Sequence, residues 1–201
     1  YYDSNYVVKL DGASHLIFKH ITWESTNPTY GNVFYLFNQV DTIEISNCVI
    51  KTISSSQNED AVMVYSDATV HSFLTIQNNL IKNGYHGVYL RGENSSNYIH
   101  DVSIQNNIFD SLHDHAINLL WVKDYVISSN SVSNFRNNNG IGIEARYSSS
   151  GMISNNIIHP GTHGIYLYYE NYYSSGGSDS TFVVNNMVSG FLNQDYQYGI
   201  Y

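Results

Sequence analysis

A repeat runs through this 201-residue chain and constrains its fold more than any other feature. In each copy an apolar residue, an outward residue and a second apolar residue follow one another. The copies begin at Val8, Phe34, Val62, Val88, Ile117, Ile141, Ile165 and Ile200, at spacings of 24 to 35 residues. Alternation with a period of two is typical of a half-buried β-strand. Because one short strand recurs at this interval, the repeat predicts a stack of similar coils whose strands form a parallel sheet.

A pair of polar residues follows each of the first seven strands, inside a second short apolar segment. The first position of the pair reads His20, Asn47, Asn78, Asn106, Ser129, Asn155 and Asn185. The second reads Ile21, Cys48, Asn79, Asn107, Asn130, Asn156 and Asn186. Asparagine tolerates a left-handed backbone, so each pair predicts a sharp bend. Since the second position also accepts Ile21 and Cys48, we predict that it points inward and forms a ladder of side-chain amides.

Strand phrases such as GIYL from Gly164, together with the paired asparagines, resemble those of the right-handed parallel β-helix (pectate-lyase-like) superfamily. The asparagine- and tyrosine-rich phrasing is also similar to secreted or surface β-helix repeat proteins of the Bacteroidetes type. The resemblance implies an all-β, right-handed parallel β-helix solenoid of about seven complete rungs of 24–35 residues. It implies a single domain over residues 1–201, which we expect to be a piece of a longer chain. It leaves function open, since this fold is shared by lyases, hydrolases, epimerases and adhesins.

Charge and composition narrow the classes of partner. Eight Lys and Arg against 17 Asp and Glu give a net charge of −9, which argues against nucleic acid or an anionic membrane surface as partner. No apolar run approaches the roughly 18 residues of a membrane-spanning helix, so we predict no membrane insertion. The single cysteine, Cys48, excludes an internal disulfide. Few lysines with many Ser, Thr, Asn and Tyr favour a secreted or cell-surface protein.

Four ionisable residues are the candidate catalytic group. Counting two positions back from each strand start predicts Asp60, His86 and His115 on three consecutive rungs, with Asp114 in the same turn as His115. An aspartate beside two histidines is able to transfer protons or to bind a divalent metal. The alternative is that each imidazole bonds a backbone carbonyl and caps a corner. We predict no cofactor, and a divalent metal is a possibility that the sequence does not support.

Motifs of the enzymes of this superfamily are matched only in fragments. The segment NED, from Asn58 to Asp60, is a partial match to the N-T-D motif of polygalacturonase-type hydrolases. The segment YHG, from Tyr85 to Gly87, is a partial match to their G-H-G motif. Their D-D and R-I-K motifs are absent. The sequence therefore favours a protein that is not an enzyme. Arg91, Arg146 and Glu144 are a further candidate acid and base group, for which the only spacing argument is their proximity in the outward columns.

The outward strand positions are rich in aromatic residues. The candidate carbohydrate-binding residues are Tyr35, Tyr65, Tyr89, Arg91, Tyr166 and Tyr168. Flat aromatic rings on an exposed sheet bind sugars by apolar contact, with hydrogen bonds at the ring edge. The alternative is that tyrosine is simply a favoured strand residue whose cross-strand pairs stabilise the sheet.

These patterns predict a non-catalytic extracellular β-helical module, in which an aromatic sheet face binds an extracellular or cell-wall polysaccharide, or a protein partner, as in adhesion. One alternative is a polysaccharide lyase or glycoside hydrolase of the same fold. The other is a structural spacer without a ligand.

Overall fold

The computed structural model describes residues 5–27, 30–52, 57–66, 68–171, 179–192 and 196–201. Its strands form three parallel sheets, A, B and C, and the chain passes through the sheets in that order in each rung. Strands are numbered β1 to β22 along the chain. Sheet A contains β1 (Tyr6–Asp11), β4 (Asn32–Phe37), β7 (Val62–Ser66), β10 (His86–Arg91), β13 (His115–Leu120), β16 (Ile141–Arg146), β19 (His163–Tyr168) and β22 (Tyr198–Ile200). Sheet B contains β2 (Ser14–Lys19), β5 (Asp41–Ser46), β8 (Ser72–Gln77), β11 (Ile99–Gln105), β14 (Val122–Ser128), β17 (Ser149–Ser154) and β20 (Phe182–Val184). Sheet C contains β3 (Thr22–Ser25), β6 (Val49–Thr52), β9 (Leu80–Lys82), β12 (Ile108–Asp110), β15 (Ser131–Ser133), β18 (Ile157–Ile158) and β21 (Met187–Val188).

Each strand pairs in parallel with the strand three places further along the chain, so that one A–B–C rung stacks on the next. This arrangement confirms the predicted all-β parallel solenoid. The described residues contain no helix that is long and apolar enough to cross a membrane.

Two of the predicted strand alignments are wrong by two residues. Phe34 pairs with Val64 rather than Val62, and Ile117 pairs with Ile143 rather than Ile141. The shortest interval between register partners is therefore 22 residues, from Ile143 to Ile165. VMVYS contains the overlapping alternations V-M-V and V-Y-S, and IGIEA contains I-G-I and I-E-A. A slip of two residues keeps the same side of the strand facing the core, so hydrophobicity alone does not reveal it.

The core is a single apolar stack between the three sheets. In one rung Leu36, Ile45 and Ile50 come from sheets A, B and C and are almost fully buried, and their counterparts in neighbouring rungs continue the same cluster. Burial of each such side chain contributes roughly 1.5–3 kcal/mol relative to leaving it exposed.

The asparagine ladder lies at the bend between sheets B and C, as predicted. The backbone N–H of Asn79 donates to Asn107 Oδ1 (3.0 Å), and the Asn79 side-chain amide donates to the same oxygen (3.0 Å). Asn107 in turn donates to the Ile76 carbonyl (2.9 Å) and to Asn130 Oδ1 (3.1 Å). The equivalent bonds recur along the ladder as far as Asn186. Cys48 is also inward, whereas Ile21 in the first rung is 39% exposed and departs from the prediction.

The first residue of each pair has the left-handed backbone that the sequence predicts. All seven positions, from His20 to Asn185, have φ between 54° and 61°. Because asparagine and glycine adopt this conformation most readily, asparagine occupies five of the seven positions.

The glycine of the His–Gly pair at the start of β19 has a packing role. A Cβ atom on Gly164 would collide with the Val188 side chain of sheet C and with the Gly199 carbonyl of the next rung. The phrase GTHGIYLYY is therefore a copy of the repeat, and its glycine makes room for the large inward residue of sheet C.

His71 holds the bend between β7 and β8 as a neutral side chain. The Val40 N–H donates to His71 Nδ1 (3.1 Å), which makes Nε2 the protonated nitrogen. Nε2 lies 2.7 Å from Ser66 Oγ and 2.6 Å from Thr69 Oγ1. Burial lowers the pKa of His71 to about 4.

Replacement of a ladder asparagine tests the role of these bonds. We expect Asn107→Ala to lower the free energy of unfolding by about 3 kcal/mol, because it leaves the Asn79 N–H and the Ile76 carbonyl buried without partners. The matched control is Asn106→Gly, one residue away at φ 55°, where glycine fits and the change stays within about 1 kcal/mol. Urea unfolding measures both, and equal effects would contradict the ladder's role.

The stability of the protein should fall as the pH decreases from about 6.5 to about 4. In this window the unfolded chain binds a proton at His71 that the folded chain does not, so acid favours unfolding. Relative to the non-titrating variant His71→Gln, the wild type should lose about 3 kcal/mol more across this range. Denaturant unfolding at a series of pH values measures the difference, and parallel curves for the two proteins would refute it.

Candidate functional site

Five ionisable side chains meet on the outer side of sheet A and form what we call the charged cluster: His86, Asp114, His115, Glu144 and Arg146. His86 and His115 begin β10 and β13 and are register partners. Glu144 and Arg146 lie on β16, the next strand of the sheet, opposite Asn118 and Leu120. Asp114 precedes β13 directly, so parallel stacking brings residues of three rungs together.

His115 lies between two carboxylates. Its Nδ1 is 2.7 Å from Asp114 Oδ2, and its Nε2 is 3.0 Å from Glu144 Oε2. The other oxygen of Glu144, Oε1, is 3.4 Å from Arg146 Nε. The side chains of His115 and Glu144 are only 12% and 8% exposed, whereas that of Arg146 is 34% exposed. The cluster is thus a mostly buried array of alternating charges that reaches solvent through Asp114 and Arg146.

The carboxylates keep His115 protonated. Burial by itself lowers the pKa of His115, but Asp114 and Glu144 outweigh it and raise the pKa to about 9. For Asp114, burial acts to raise the pKa, while the hydrogen bond from His115 and the nearby positive charge give a net decrease. At neutral pH the pair is therefore an imidazolium and a carboxylate.

His86 has the opposite character. Burial, with the charge of His115 beside it, lowers the pKa of His86 to about 3, so its imidazole is neutral. Its ring lies against His115 at 5.0 Å, Tyr85 at 4.7 Å and Tyr89 at 5.7 Å between ring centres. Its Nδ1 is buried without a hydrogen-bond partner and lies 4.0 Å from Asp114 Oδ2. Of the four predicted catalytic residues, the structure therefore brings His86, Asp114 and His115 together.

Asp60 does not join them. The residue opposite His86 in the preceding rung is Val62, so the prediction that Asp60 stacks on His86 is wrong. The cause is the two-residue slip in VMVYS. The Asp60 N–H donates to Asn58 Oδ1 (3.0 Å), and burial together with the charge of Glu59 raises the pKa of the Asp60 carboxyl group.

Glu144 takes the place that Asp60 was expected to fill. A two-residue slip in IGIEA also kept Glu144 out of the predicted catalytic group. Alignment of the segment IEA of β16 with the segment INL of β13 would have placed Glu144 beside Asn118 and near the turn that contains His115. The corner-cap alternative does not describe His115, whose two ring nitrogens face carboxylates. That alternative describes His163 better, because its Nδ1 lies 2.9 Å from the Thr162 hydroxyl and its ring stacks on Tyr198.

Three of the predicted carbohydrate-binding tyrosines form a stacked row on sheet A. Tyr35 and Tyr65 are 5.4 Å apart at 24°, and Tyr65 and Tyr89 are 5.7 Å apart at 28°. The two neighbours cover both faces of the Tyr65 ring, so the row presents ring edges and hydroxyl groups rather than flat faces. Arg91 lies on the same strand as Tyr89, two residues further on.

The other two tyrosines belong to a larger group of rings beside the charged cluster. Tyr166 is the register partner of Glu144, and Tyr168 is that of Arg146. The two rings are stacked at 6.2 Å, and Tyr168 also contacts Tyr147 and Tyr169, at 5.9 and 4.3 Å. The candidate sugar contacts and the candidate catalytic residues are therefore parts of one surface.

The edge of this surface, where sheet A ends, was not predicted from the sequence. Trp121, Tyr147 and Tyr169 stack on one another there, at 4.6 and 5.2 Å. All three have left-handed backbones, with φ of 57°, 50° and 50°. The corner after sheet A is also left-handed at Gly12 and Asn38, so this conformation belongs to the repeat and it is the three large rings that are particular to these rungs. We call these three residues, with Tyr166 and Tyr168, the aromatic patch.

Comparison with known proteins identifies the fold. A family model described as a right-handed β-helix region matches residues 5–201. Comparisons with curated proteins and with solved structures gave no significant match. The match extends to the β-helix and not to the narrower pectate-lyase-like or Bacteroidetes-type groups.

The protonation of His115 is testable by NMR. We expect its imidazole to titrate near pH 9 and that of His86 to remain neutral down to about pH 3. Glu144→Gln should lower the pKa of His115, because one of the two carboxylates loses its charge. Since the folded pKa is raised, this group stabilises the protein below about pH 6.5, and the contribution is lost as the pH rises through about 9. A His115 titration near pH 6.5 would contradict the geometry.

Proposed function

The chain belongs to the right-handed β-helix family, and from this premise we propose that it is an extracellular module that binds a polysaccharide across the outer face of sheet A. The observation that carries the proposal is the contact between the aromatic patch and the charged cluster, through the pairs Glu144–Tyr166 and Arg146–Tyr168. Aromatic rings supply apolar contact to sugar rings, and neighbouring polar groups bond their hydroxyls.

The aromatic surface is specific to one side of the solenoid. A row of outward positions in sheet B carries Glu44, Thr75 and Ser103, where sheet A has Tyr35, Tyr65 and Tyr89. Tyr168 and Tyr169 are 39% and 46% exposed. A contiguous apolar surface that faces solvent typically marks a binding site.

Two kinds of contact with a sugar are expected from this geometry. The stacked row of Tyr35, Tyr65 and Tyr89 offers hydroxyl groups and ring edges, which suits hydrogen bonding along a chain of sugars. The aromatic patch offers the exposed Tyr168 and Tyr169, which suits apolar contact with a sugar ring. Interior rings such as Tyr65 then serve mainly the stability of the sheet.

The charge of the chain favours a neutral polysaccharide. Its net charge of −9 repels polyanions, and at least six of its eight lysines and arginines already pair with a carboxylate. The low lysine content and the abundance of Ser, Thr, Asn and Tyr support a secreted or cell-surface location, of the kind proposed for Bacteroidetes-type β-helix proteins.

Removal of aromatic rings from the patch tests the proposal. We expect Trp121→Ala and Tyr168→Ala each to weaken binding to a soluble neutral polysaccharide about tenfold or more, since each ring contributes more than about 1 kcal/mol of contact. The matched control is Phe73→Ala, which removes an exposed ring at a left-handed position (φ 53°) of sheet B. Affinity electrophoresis against a panel of polysaccharides, after a check of folding by circular dichroism, gives the comparison.

Binding that survives both changes would overturn the assignment of this surface. Absence of binding to every glycan in the panel would favour the spacer, or a protein ligand in its place. A protein ligand would be distinguished by capture that depends on Trp121 and Tyr168 but is not inhibited by added glycan.

A second candidate function is catalysis on the bound polysaccharide, and the charged cluster is the observation that favours it. An ionised Asp114 at the surface is positioned to accept a proton, and Arg146 is positioned to stabilise developing negative charge. Asp114→Asn would then abolish release of reducing ends or unsaturated products while binding remained. If the wild type releases neither product, the module is non-catalytic.

A further inference from the structure

We propose that His86, Asp114 and His115 bind a Zn²⁺-like divalent transition-metal ion, with Glu144 as the outer residue that orients His115. The metal site is argued from the charged cluster alone and does not depend on the aromatic patch. One ligand atom from each of the three residues lies within 4.8 Å of the others.

The ligand types select the metal. Two imidazole nitrogens and one carboxylate oxygen match zinc and its neighbours in the first transition row, whereas Ca²⁺ and Mg²⁺ prefer sites built from oxygen alone. Three protein ligands leave at least one coordination position for water or for a hydroxyl group of a ligand.

The distances require little rearrangement. Bonds near 2 Å in a tetrahedral site place ligand atoms about 3.3 Å apart. The separation between His115 Nδ1 and Asp114 Oδ2 is 2.7 Å, and that between His86 Nδ1 and Asp114 Oδ2 is 4.0 Å. The first separation must widen and the second must close, each by less than about 1 Å. The third separation, between the two histidine nitrogens, lies within 4.8 Å and must close by up to about 1.5 Å. Asp114 lies in the turn before β13, where its side chain can adjust.

His86 gives an independent sign of a ligand. Its side chain is nine-tenths buried, and its Nδ1 points toward Asp114 without a hydrogen-bond partner. A polar atom left unpaired in the interior destabilises the fold by about 1–3 kcal/mol. A metal ion at the centre of the three residues would satisfy this nitrogen, and its binding would release the Nδ1 proton of His115 to solvent, because only a deprotonated imidazole nitrogen coordinates a metal.

Glu144 supplies the outer shell that histidine ligands usually have. It lies 3.0 Å from His115 Nε2, on the ring side opposite the proposed ion, and Arg146 holds its second oxygen. Metal-bound histidines commonly donate their other N–H to a carboxylate, which fixes the ring orientation.

The fold itself does not require these polar residues. The positions equivalent to His86 and His115 carry Val62 in the rung before and Ile141 in the rung after. Because apolar residues fit this position, and because buried ion pairs contribute little net stability, the two histidines are better explained by a ligand than by packing.

Titration with Zn²⁺ tests the inference on the whole chain, carrying no histidine tag. Isothermal titration calorimetry should show one Zn²⁺ per chain and no comparable binding of Ca²⁺. His86→Ala and Asp114→Asn should weaken Zn²⁺ binding by more than about 100-fold, and Glu144→Gln by about 10- to 100-fold. His163→Ala is the matched control, because this histidine begins β19 in the same column but bonds Thr162, and it should leave binding unchanged.

Co²⁺ gives a second readout that does not depend on affinity. Its visible absorption should show a site of low coordination number in the wild type and lose those bands in Asp114→Asn, which conserves the shape of the side chain. Circular dichroism and thermal melting confirm that each variant is folded. The inference is overturned if the folded wild type binds no Zn²⁺ or prefers Ca²⁺. It is also overturned if Asp114→Asn and His86→Ala bind Zn²⁺ as tightly as the wild type does.

Discussion

The hydrogen bond from the backbone N–H of one rung to the inward asparagine of the next is the interaction on which the rest of the solenoid depends. At the bend between sheets B and C the chain turns into its own core, where no water is available to the peptide groups. Each inward asparagine accepts a hydrogen bond from a backbone N–H of the rung before, and its side-chain amide donates to an isoleucine carbonyl of that rung. Asn107, for example, accepts from the Asn79 N–H and donates to the Ile76 carbonyl. The bends therefore stack in register, and with them the strands of all three sheets.

Exact stacking of the strands is what creates the site. Because the rungs are in register, residues that are 29 positions apart, His86 and His115, become neighbours on adjacent strands. Glu144 arrives from a third rung by the same rule. An array of buried charges of this kind gives little stability by itself, and Val62 and Ile141 show that the same position accepts apolar residues. We therefore propose a functional role for the charged cluster.

Much of the fold was predictable because its signals are local. An asparagine that bends the chain and a strand with a period of two are read from a few neighbouring residues, and both predictions are confirmed, apart from the exposed Ile21. The site was only partly predictable because it depends on register. In VMVYS and IGIEA two alignments turn the same side of the strand toward the core, so Asp60 was placed beside His86 in error and Glu144 was not placed beside His115. Trp121 and Tyr147 were missed because they lie in turns, where no strand pattern identifies them.

The sequence by itself determined the β-helix, its inward asparagine ladder and the concentration of tyrosine on one sheet, because each follows from repetition of a short local pattern. The tertiary structure decided which residues of different rungs meet. It brought Glu144 rather than Asp60 to His115, turned the Tyr65 ring face against its neighbours, and joined the aromatic patch to the charged cluster. The physical reason is that these contacts depend on the alignment of whole rungs, which the packed core and the hydrogen bonds between strands select and the alternation of residues does not.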